Sequence, residues 1–311
     1  MIGPAFDLLL ALIVIAVALA ATLGRDNFGA VVFFIVYGSL LAVAWTRLGA
    51  VDVALAEAAI GAGLTGLLLV GALARLSRLE VFSPKPPGAG ARALCALTAA
   101  SVAAVVAYAL TGLDPDGGGL TETVAADLDR SGVQNPVTAV LLNFRGYDTL
   151  LESIVLLVVL VGVWSLAQDR HWGGAPGLAQ HARPDGVLAT FARALPPIGL
   201  LIGVYVVWVG TSEPGGAFQG ATILAAVWLL AAMAGLTDAP SVTRRSVRVI
   251  VIAGPALFLA IGTVGALAGT FLALPPDHAK RLIQVIEAGL TISIAATLAL
   301  LVLGFPQRAP P

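Results

Sequence analysis

Val51-Asp52-Val53-Ala54-Leu55-Ala56-Glu57-Ala58-Ala59-Ile60-Gly61-Ala62-Gly63-Leu64-Thr65-Gly66-Leu67-Leu68-Leu69-Val70-Gly71-Ala72-Leu73 is the stretch that decides the fold. Crossing about 30 Å of hydrocarbon takes roughly 20 consecutive apolar residues in a helix. This run meets that length in spite of its two carboxylates. Strands of an outer-membrane barrel alternate over roughly ten residues, so the continuous run excludes that architecture. Eight further segments pass the same test, at about 4–24, 28–46, 92–111, 148–168, 188–211, 216–236, 248–272 and 282–303. The fold class is therefore all-α, a polytopic integral membrane protein of about nine transmembrane helices. Composition agrees: of 311 residues, 59% are hydrophobic and 11% charged, against about 25% charged in soluble domains. A mean hydropathy of +0.96 cannot be hidden in one soluble core, because much of a chain this size stays near a surface. A soluble enzyme, a nucleic-acid binder and a disordered chain are excluded. The net charge of −1 offers no attraction to a polyanion. The single cysteine, Cys95, forms neither a disulfide framework nor a cysteine metal site and reads as an inert packing residue.

Basic residues predict the orientation. The ends following the first, third, fifth and seventh segments, with the C-terminus, carry Arg25, Arg75, Arg78, Lys85, Arg92, Arg170, Arg183, Arg193, Arg244, Arg245, Arg248 and Arg308, 12 of the 17. Arg47, Arg130, Arg145, Lys280 and Arg281 fall on the other side. The positive-inside rule then puts the N-terminus outside and the C-terminus in the cytoplasm. The first segment has no preceding basic residue and no small-residue cleavage site, so it reads as a retained helix. Three blocks are expected: a three-helix domain at 1–82, a two-helix domain at 83–170 and a four-helix domain at 171–311. A Pro-rich linker, Ser83-Pro84-Lys85-Pro86-Pro87-Gly88, closes the first, and a Gly/Pro/His linker around 173–185 opens the last. Between them lies an outside loop of about 112–147, acidic at Asp114, Asp116, Glu122, Asp127 and Asp129. No Walker loop, dinucleotide fingerprint, metal-ligand spacing or nucleophile elbow is present. No enzyme activity, cofactor, metal or nucleic-acid partner is expected.

Chemistry is concentrated in acids within the apolar segments: Asp52 and Glu57, Asp148 and Glu152, Glu287, and Asp7 near the start. An ionised carboxylate near the bilayer centre costs about 2.5–3.5 kcal/mol even on the lenient insertion scale. The odd-numbered segments all begin on one side, so Glu57, Glu152 and Glu287 fall at one depth, roughly 7–10 Å below the outer boundary. Such a layer suits a polar opening. Asp7 and Asp148 also fit plain first-turn acids favoured by the helix dipole. Glu152, one turn after Asp148 and near Arg145, also fits a local ion-pair network.

Asp52 and Glu57 are five apart, about 140° around an ideal helix. A π-bulge would bring them onto one face, and Gly61, Gly63 and Gly66 make the same helix deformable and closely packable. A bulged, gating helix between Asp52 and Gly66 is the expectation. The turn Gly210-Thr211-Ser212-Glu213-Pro214-Gly215-Gly216-Ala217-Phe218-Gln219-Gly220 lets backbone amides at a helix start meet an anion or carboxylate. It reads equally as a tight hairpin, with Gln219 at the glutamates' depth. Trp45, Trp164, Trp172, Trp208, Tyr108 and Tyr205 read as interfacial anchors, and His171, His181 and His278 as loop residues.

Asp26-Asn27-Phe28-Gly29 through Gly38-Ser39-Leu40-Leu41, with Val51 to Gly61, resembles the three-helix domain at the end of the large A-type protein of Mrp-type multisubunit cation/proton antiporters. In membrane-bound hydrogenases the same domain is the separate D-type protein. Asn135-Pro136-Val137-Thr138 with Asn143 to Glu152 resembles the next domain, the E-type protein of those hydrogenases. Pro214 to Gly220 with Glu287-Ala288-Gly289-Leu290 resembles the B-type protein of Mrp antiporters, although Ala217 stands where that turn has a third glycine. The first two blocks also resemble the J-type protein of complex I, whose third helix carries a π-bulge.

The resemblance implies a bacterial or archaeal plasma-membrane subunit of an Mrp-type cation/proton antiporter, or of a related complex-I-like ion-translocating respiratory complex, that moves Na+ or H+ with partners. Those would be large complex-I-like antiporter subunits and small ones of the C, E, F and G type, together in the lipid bilayer. It implies ion-pathway roles for Asp52, Glu57, Asp148, Glu152 and Glu287. Gly61, Gly63, Arg145, Gly215, Gly216 and Gln219 become structural or gating residues. No segment carries a buried lysine, so proton pumping falls to a partner and the chain is not expected to transport alone. The alternative is a non-transporting scaffold of a hydrogenase-like complex whose acids pair with partner basic residues. A stand-alone carrier is disfavoured, because inverted repeats and broken helices are not evident.

Overall fold

The computed structural model describes residues 2–24, 26–78, 88–113, 119–178, 182–183 and 185–309. Arg25, residues 83–87 of the Pro-rich linker, Asp114, Asp116 and His181 lie outside the described residues. Among the latter the chain is helical, with no strand beyond one isolated bridge between Pro176 and Pro306.

Helices α1 (Ile2–Leu23) and α2 (Asn27–Arg47) form the first hairpin. Asp26 caps α2, accepting from the Phe28 and Gly29 amides at 3.2 and 2.7 Å. The far end is tied by Arg47, whose Nε and Nη2 donate to Asp7 at 2.8 and 3.0 Å. Asp7, expected as a first-turn acid, lies past the first turn of α1 and instead pairs with a residue 40 positions on. The decisive stretch forms α3 (Val51–Ala56), a π-helix (Glu57–Leu64) and α4 (Thr65–Arg78) in one rod. The π-bulge expected here is present, but it begins at Glu57, downstream of the Asp52–Glu57 interval. At its end the Thr65 amide bonds Ile60 O, five residues back, and the Thr65 hydroxyl donates to the same carbonyl at 2.8 Å. Glycine notches seat it on α2: a Cβ on Gly38 would lie 3.2 Å from the backbone of Ala62.

Helix α5 (Ala89–Thr111) has no buried residue. Cys95, expected as a packing residue, is exposed on it. The part of the expected outside loop that is described is largely helical. It holds α6 (Thr121–Asp127), a 3-10 turn (Leu128–Ser131), α7 (Pro136–Ala139) and a second π-helix (Val140–Phe144). The latter leads through Arg145 (φ −130°) into α8 (Gly146–Trp164). Ser131, Asn135 and Thr138 are buried there, because their backbone and side-chain groups bond into the core and need no water.

Helices α9 (Val187–Val209), α10 (Ala217–Met233), α11 (Arg245–Ala268) and α12 (Pro276–Leu303) complete the fold. Eight helices among the described residues are long and apolar enough to cross a membrane; α10, at the seventh expected segment, is a shorter apolar helix of 17 residues. Helix α12 is the core: Ile283, Ile286, Leu290, Ile294, Leu298 and Leu300 are buried on all sides against α8, α10 and α11. Gly254 of α11 packs on its backbone, and the Ser293 hydroxyl donates to Val251 O at 2.6 Å. Arg75 of α4 donates to Leu303 O at 3.2 Å, placing a cation on the negative end of α12. Trp164, expected at an interface, is buried instead in a small cluster with Val242, Val247, Val251 and Leu300. The chain exposes 18983 Å², whereas a soluble monomer of this mass exposes about 12,000 Å². Its apolar surface continues outward into lipid or neighbours.

Candidate carboxylate site at the glycine turn

The turn between α9 and α10 is built to bring backbone close to carboxylates. Ser212 and Glu213 amides donate to Val209 O at 2.8 Å, and the Gly216 amide donates to Val206 O at 3.1 Å. Gly216 caps α10 at φ 125°, ψ −172°, a region essentially reserved for glycine. The Ala217 amide, first in α10, faces the carboxylate of Glu287. Ala217, which replaces a third glycine, therefore keeps the close backbone approach. Glu287 is only 2% exposed, and its Oε2 makes no hydrogen bond. A Cβ on Gly216 or Gly210 would stand 3.1 or 3.2 Å from its Oε1, so both glycines make room for it.

Asp52 meets the other side of the same turn. Its Oδ1 accepts from the Gly215 amide at 3.0 Å, and Gln219 Nε2 donates to Asp52 O at 3.4 Å. Asn135 Nδ2 donates to Glu213 O at 2.9 Å and weakly to Asp52 Oδ2 at 3.4 Å. Its Oδ1 caps α7 by accepting from the Val137 amide at 2.8 Å. Gln134 and Asn135 amides both donate to Thr211 O, and the Thr138 hydroxyl donates to Gly210 O at 2.5 Å. Asp52, Asn135 and Glu287 thus grip one turn from three separate parts of the chain. The Asn135-Pro136 pair is a helix-start signal legible in sequence, but its clasp on a turn 78 residues away is not. Asn135→Ala removes the cap and leaves Glu213 O short of a donor. It is expected to cost about 1–3 kcal/mol, read as a lower thermal unfolding temperature of the purified chain in detergent. An unchanged temperature would remove Asn135 from the clasp.

Beside the turn lies a cavity of about 210 Å³. Ala56 and Ile60 of the first rod, Thr138, Thr149 and Glu152, Gly215 to Gln219, and Glu287 line it. Glu152 and Glu287 therefore share a cavity. Glu57 does not line it; its carboxylate folds over Gly61, where a Cβ would collide with it. Gly63 faces Ala58 O, 3.2 Å from where its Cβ would sit. Asp148 pairs with Arg145 at 2.6 Å on an exposed surface, and neither lines the cavity. The local network expected around Glu152 consists of that one pair, with Glu152 turned to the cavity. Among the described residues no group of three or more His, Cys, Asp or Glu gathers as a metal site. His171 lies in a 3-10 turn and His278 in the first turn of α12.

Two family descriptions match the sequence: MbhD, the D-type protein of the membrane-bound complex abbreviated MBH, over residues 12–78, and "Domain related to MnhB subunit of Na+/H+ antiporter" over 187–306. The chain is 28% identical over 122 residues to "Uncharacterized protein MJ1307" of Methanocaldococcus jannaschii, covering 35% of this chain and 47% of that protein. A chain of the Mrp complex from Dietzia sp. superposes with TM-score 0.72 at 25% identity, over 97% of this chain and 35% of that one. A chain of the membrane-bound sulfane sulfur reductase, an archaeal respiratory membrane complex, superposes with TM-score 0.57 at 25% identity, over 68% and 96%. The chain thus spans about half of the curated relative and a third of the Mrp chain that it matches.

Proposed function

We infer the function from the family arrangement: the chain is an Mrp-type antiporter subunit fusion, an MbhD-like segment followed by an MnhB-like one, in a multi-pass protein of the prokaryotic plasma membrane. The description matched over 187–306 is of an antiporter subunit, and we read this chain likewise as having no catalytic activity of its own. It works in a complex with large complex-I-like antiporter subunits and small ones of the C, E, F and G type. The transported ion is Na+ or H+. The blocks 1–82, 83–170 and 171–311 are its functional domains, with the N-terminus outside and the C-terminus in the cytoplasm.

One observation carries the reading. A buried carboxylate, Glu287, has an unbonded oxygen and shares a cavity with Glu152, beside a rod that contains a π-turn. A buried polar atom without a partner is costly, and it persists where the site exchanges a proton or cation. Asp52, Glu57, Glu152 and Glu287 contribute the pathway, with Asp148 at its exposed edge. Gly61, Gly63, Gly215 and Gly216 give the backbone its freedom to move. Arg145 holds Asp148, and Gln219 holds the π-rod to α10. Glu57→Gln in the assembled complex is expected to suppress Na+-driven proton movement in inverted vesicles while subunit stoichiometry persists. Wild-type antiport by that variant would remove Glu57 from the pathway.

A structural role is favoured for one of these acids, Asp52, whose carboxylate clasps the Gly215 amide within the chain. The scaffold reading expects Asp52→Asn to disrupt assembly before transport, whereas the pathway reading expects an assembled but inactive complex.

A further inference from the structure

A second pocket, of about 370 Å³, opens where the C-terminal end of α9 meets the first turns of α12. Trp208, Thr211, Ser212, Lys280, Arg281 and Gln284 line it. Among the described residues the ion pairs engage other groups, and neither Lys280 nor Arg281 has a carboxylate within salt-bridge distance. The acids nearest in sequence are Asp277, in the first turn of α12, and Glu287, and neither forms an ion pair with these cations. The positive end of α12 adds to the same field. Two cations border a pocket in which, among the described residues, no carboxylate pairs with either of them.

The surroundings say which anion fits. Both helices are long and apolar enough to cross a membrane, so the pocket sits at the level of one membrane boundary. Leu201, Tyr205 and Trp208 form an exposed stripe on α9, 74%, 63% and 71% exposed, that runs down from the pocket. Arg281, Val285, Ala288 and Ile292 form a matching exposed stripe on α12. A charged head above two apolar tracks has the form of a phospholipid. Basic pockets between transmembrane helices on the cytoplasmic side bind anionic headgroups; this pocket offers the same charges at the outer boundary expected from the basic-residue count, and Trp prefers headgroup level.

We propose that the pocket between α9 and α12 binds an anionic phospholipid. Lys280 and Arg281 hold its phosphate, Gln284 and Ser212 border the headgroup, and its acyl chains lie along the Leu201–Trp208 and Val285–Ile292 stripes. The site is distinct from the carboxylate cavity and does not depend on which ion the complex moves.

The test is native mass spectrometry of the full chain, purified in neutral detergent and titrated with phosphatidylglycerol or phosphatidylcholine. Wild type is expected to retain phosphatidylglycerol preferentially. The Lys280→Gln/Arg281→Gln double variant is expected to bind it at least about tenfold more weakly, with phosphatidylcholine unchanged. Trp208→Ala, which leaves both charges in place, is expected to weaken both lipids. Excess inorganic phosphate is expected not to displace the lipid, and displacement would mean a free-anion site. Equal phosphatidylglycerol retention by wild type and double variant overturns the proposal. So does a double variant that keeps the lipid but loses co-purifying subunits, since the cations would then meet a partner's carboxylates.

Discussion

Glu287→Gln is expected to reduce Na+-driven proton movement by the assembled complex to that of vesicles lacking it, with subunit composition intact. The two side chains have nearly the same shape. Glutamine keeps an oxygen that can accept from the Ala217 amide, so α10 stays capped and the neighbouring Gly210 and Gly216 need not shift. What is lost is the ability to carry a proton or neutralise a cation at Oε2, the buried oxygen without a partner. Glu287→Ala separates the two roles. It also strands the Ala217 amide and opens space in the core, and is expected to lower stability by about 1–3 kcal/mol. Transport assays in inverted vesicles, with thermal unfolding in detergent alongside, distinguish these outcomes. Antiport at the wild-type rate in Glu287→Gln would show that this carboxylate only caps α10.

Gly216→Ala is expected to lower both stability and transport. At φ 125° and ψ −172° the position costs a non-glycine residue about 1–3 kcal/mol. The added Cβ would also stand 3.1 Å from Glu287 Oε1 and 3.5 Å from Gln219 Oε1, so the carboxylate must move off the α10 amide. Gly71→Ala provides the contrast. It lies in α4 with nothing within 4 Å of its would-be Cβ. There the change is expected to be neutral or stabilising by roughly 0.5–1 kcal/mol, because alanine restricts the unfolded chain. A Gly216→Ala protein as stable as wild type would mean that the turn relaxes freely.

The helical segments, the deformable Asp52–Gly66 rod and the glycine turn were legible because each signal is local. Apolar run length fixes a span, and the glycines after Glu57 mark a deformable helix, although the π-turn lies among them and not in the Asp52–Glu57 interval. Register along the helices predicts one depth for Glu57, Glu152 and Glu287, but α12 begins at Pro276, earlier than the apolar run, so Glu287 lies further into its helix than Glu57 and Glu152 into theirs. Rotation about the helix axis was not legible, and it is what turns Glu152 and Glu287 into one cavity and folds Glu57 over Gly61. The described part of the 112–147 region read as a loop because its helices are short. Two of their buried polar residues, Asn135 and Thr138, are satisfied by a turn more than seventy residues away in sequence.

The sequence by itself determined that this is an all-α membrane protein, since backbone groups in hydrocarbon must bond within a helix and the lengths match the bilayer. Only the tertiary structure decided which apolar helix is core and which is surface. Helices α5 and α12 both read as spans, yet no residue of α5 is buried while α12 is enclosed along most of its length. Lipid and protein interior are equally apolar, so hydropathy cannot tell them apart. Packing geometry does, through the glycine notches and the hydrogen bonds of Ser293, Arg75 and Asn135 that join helices distant in sequence.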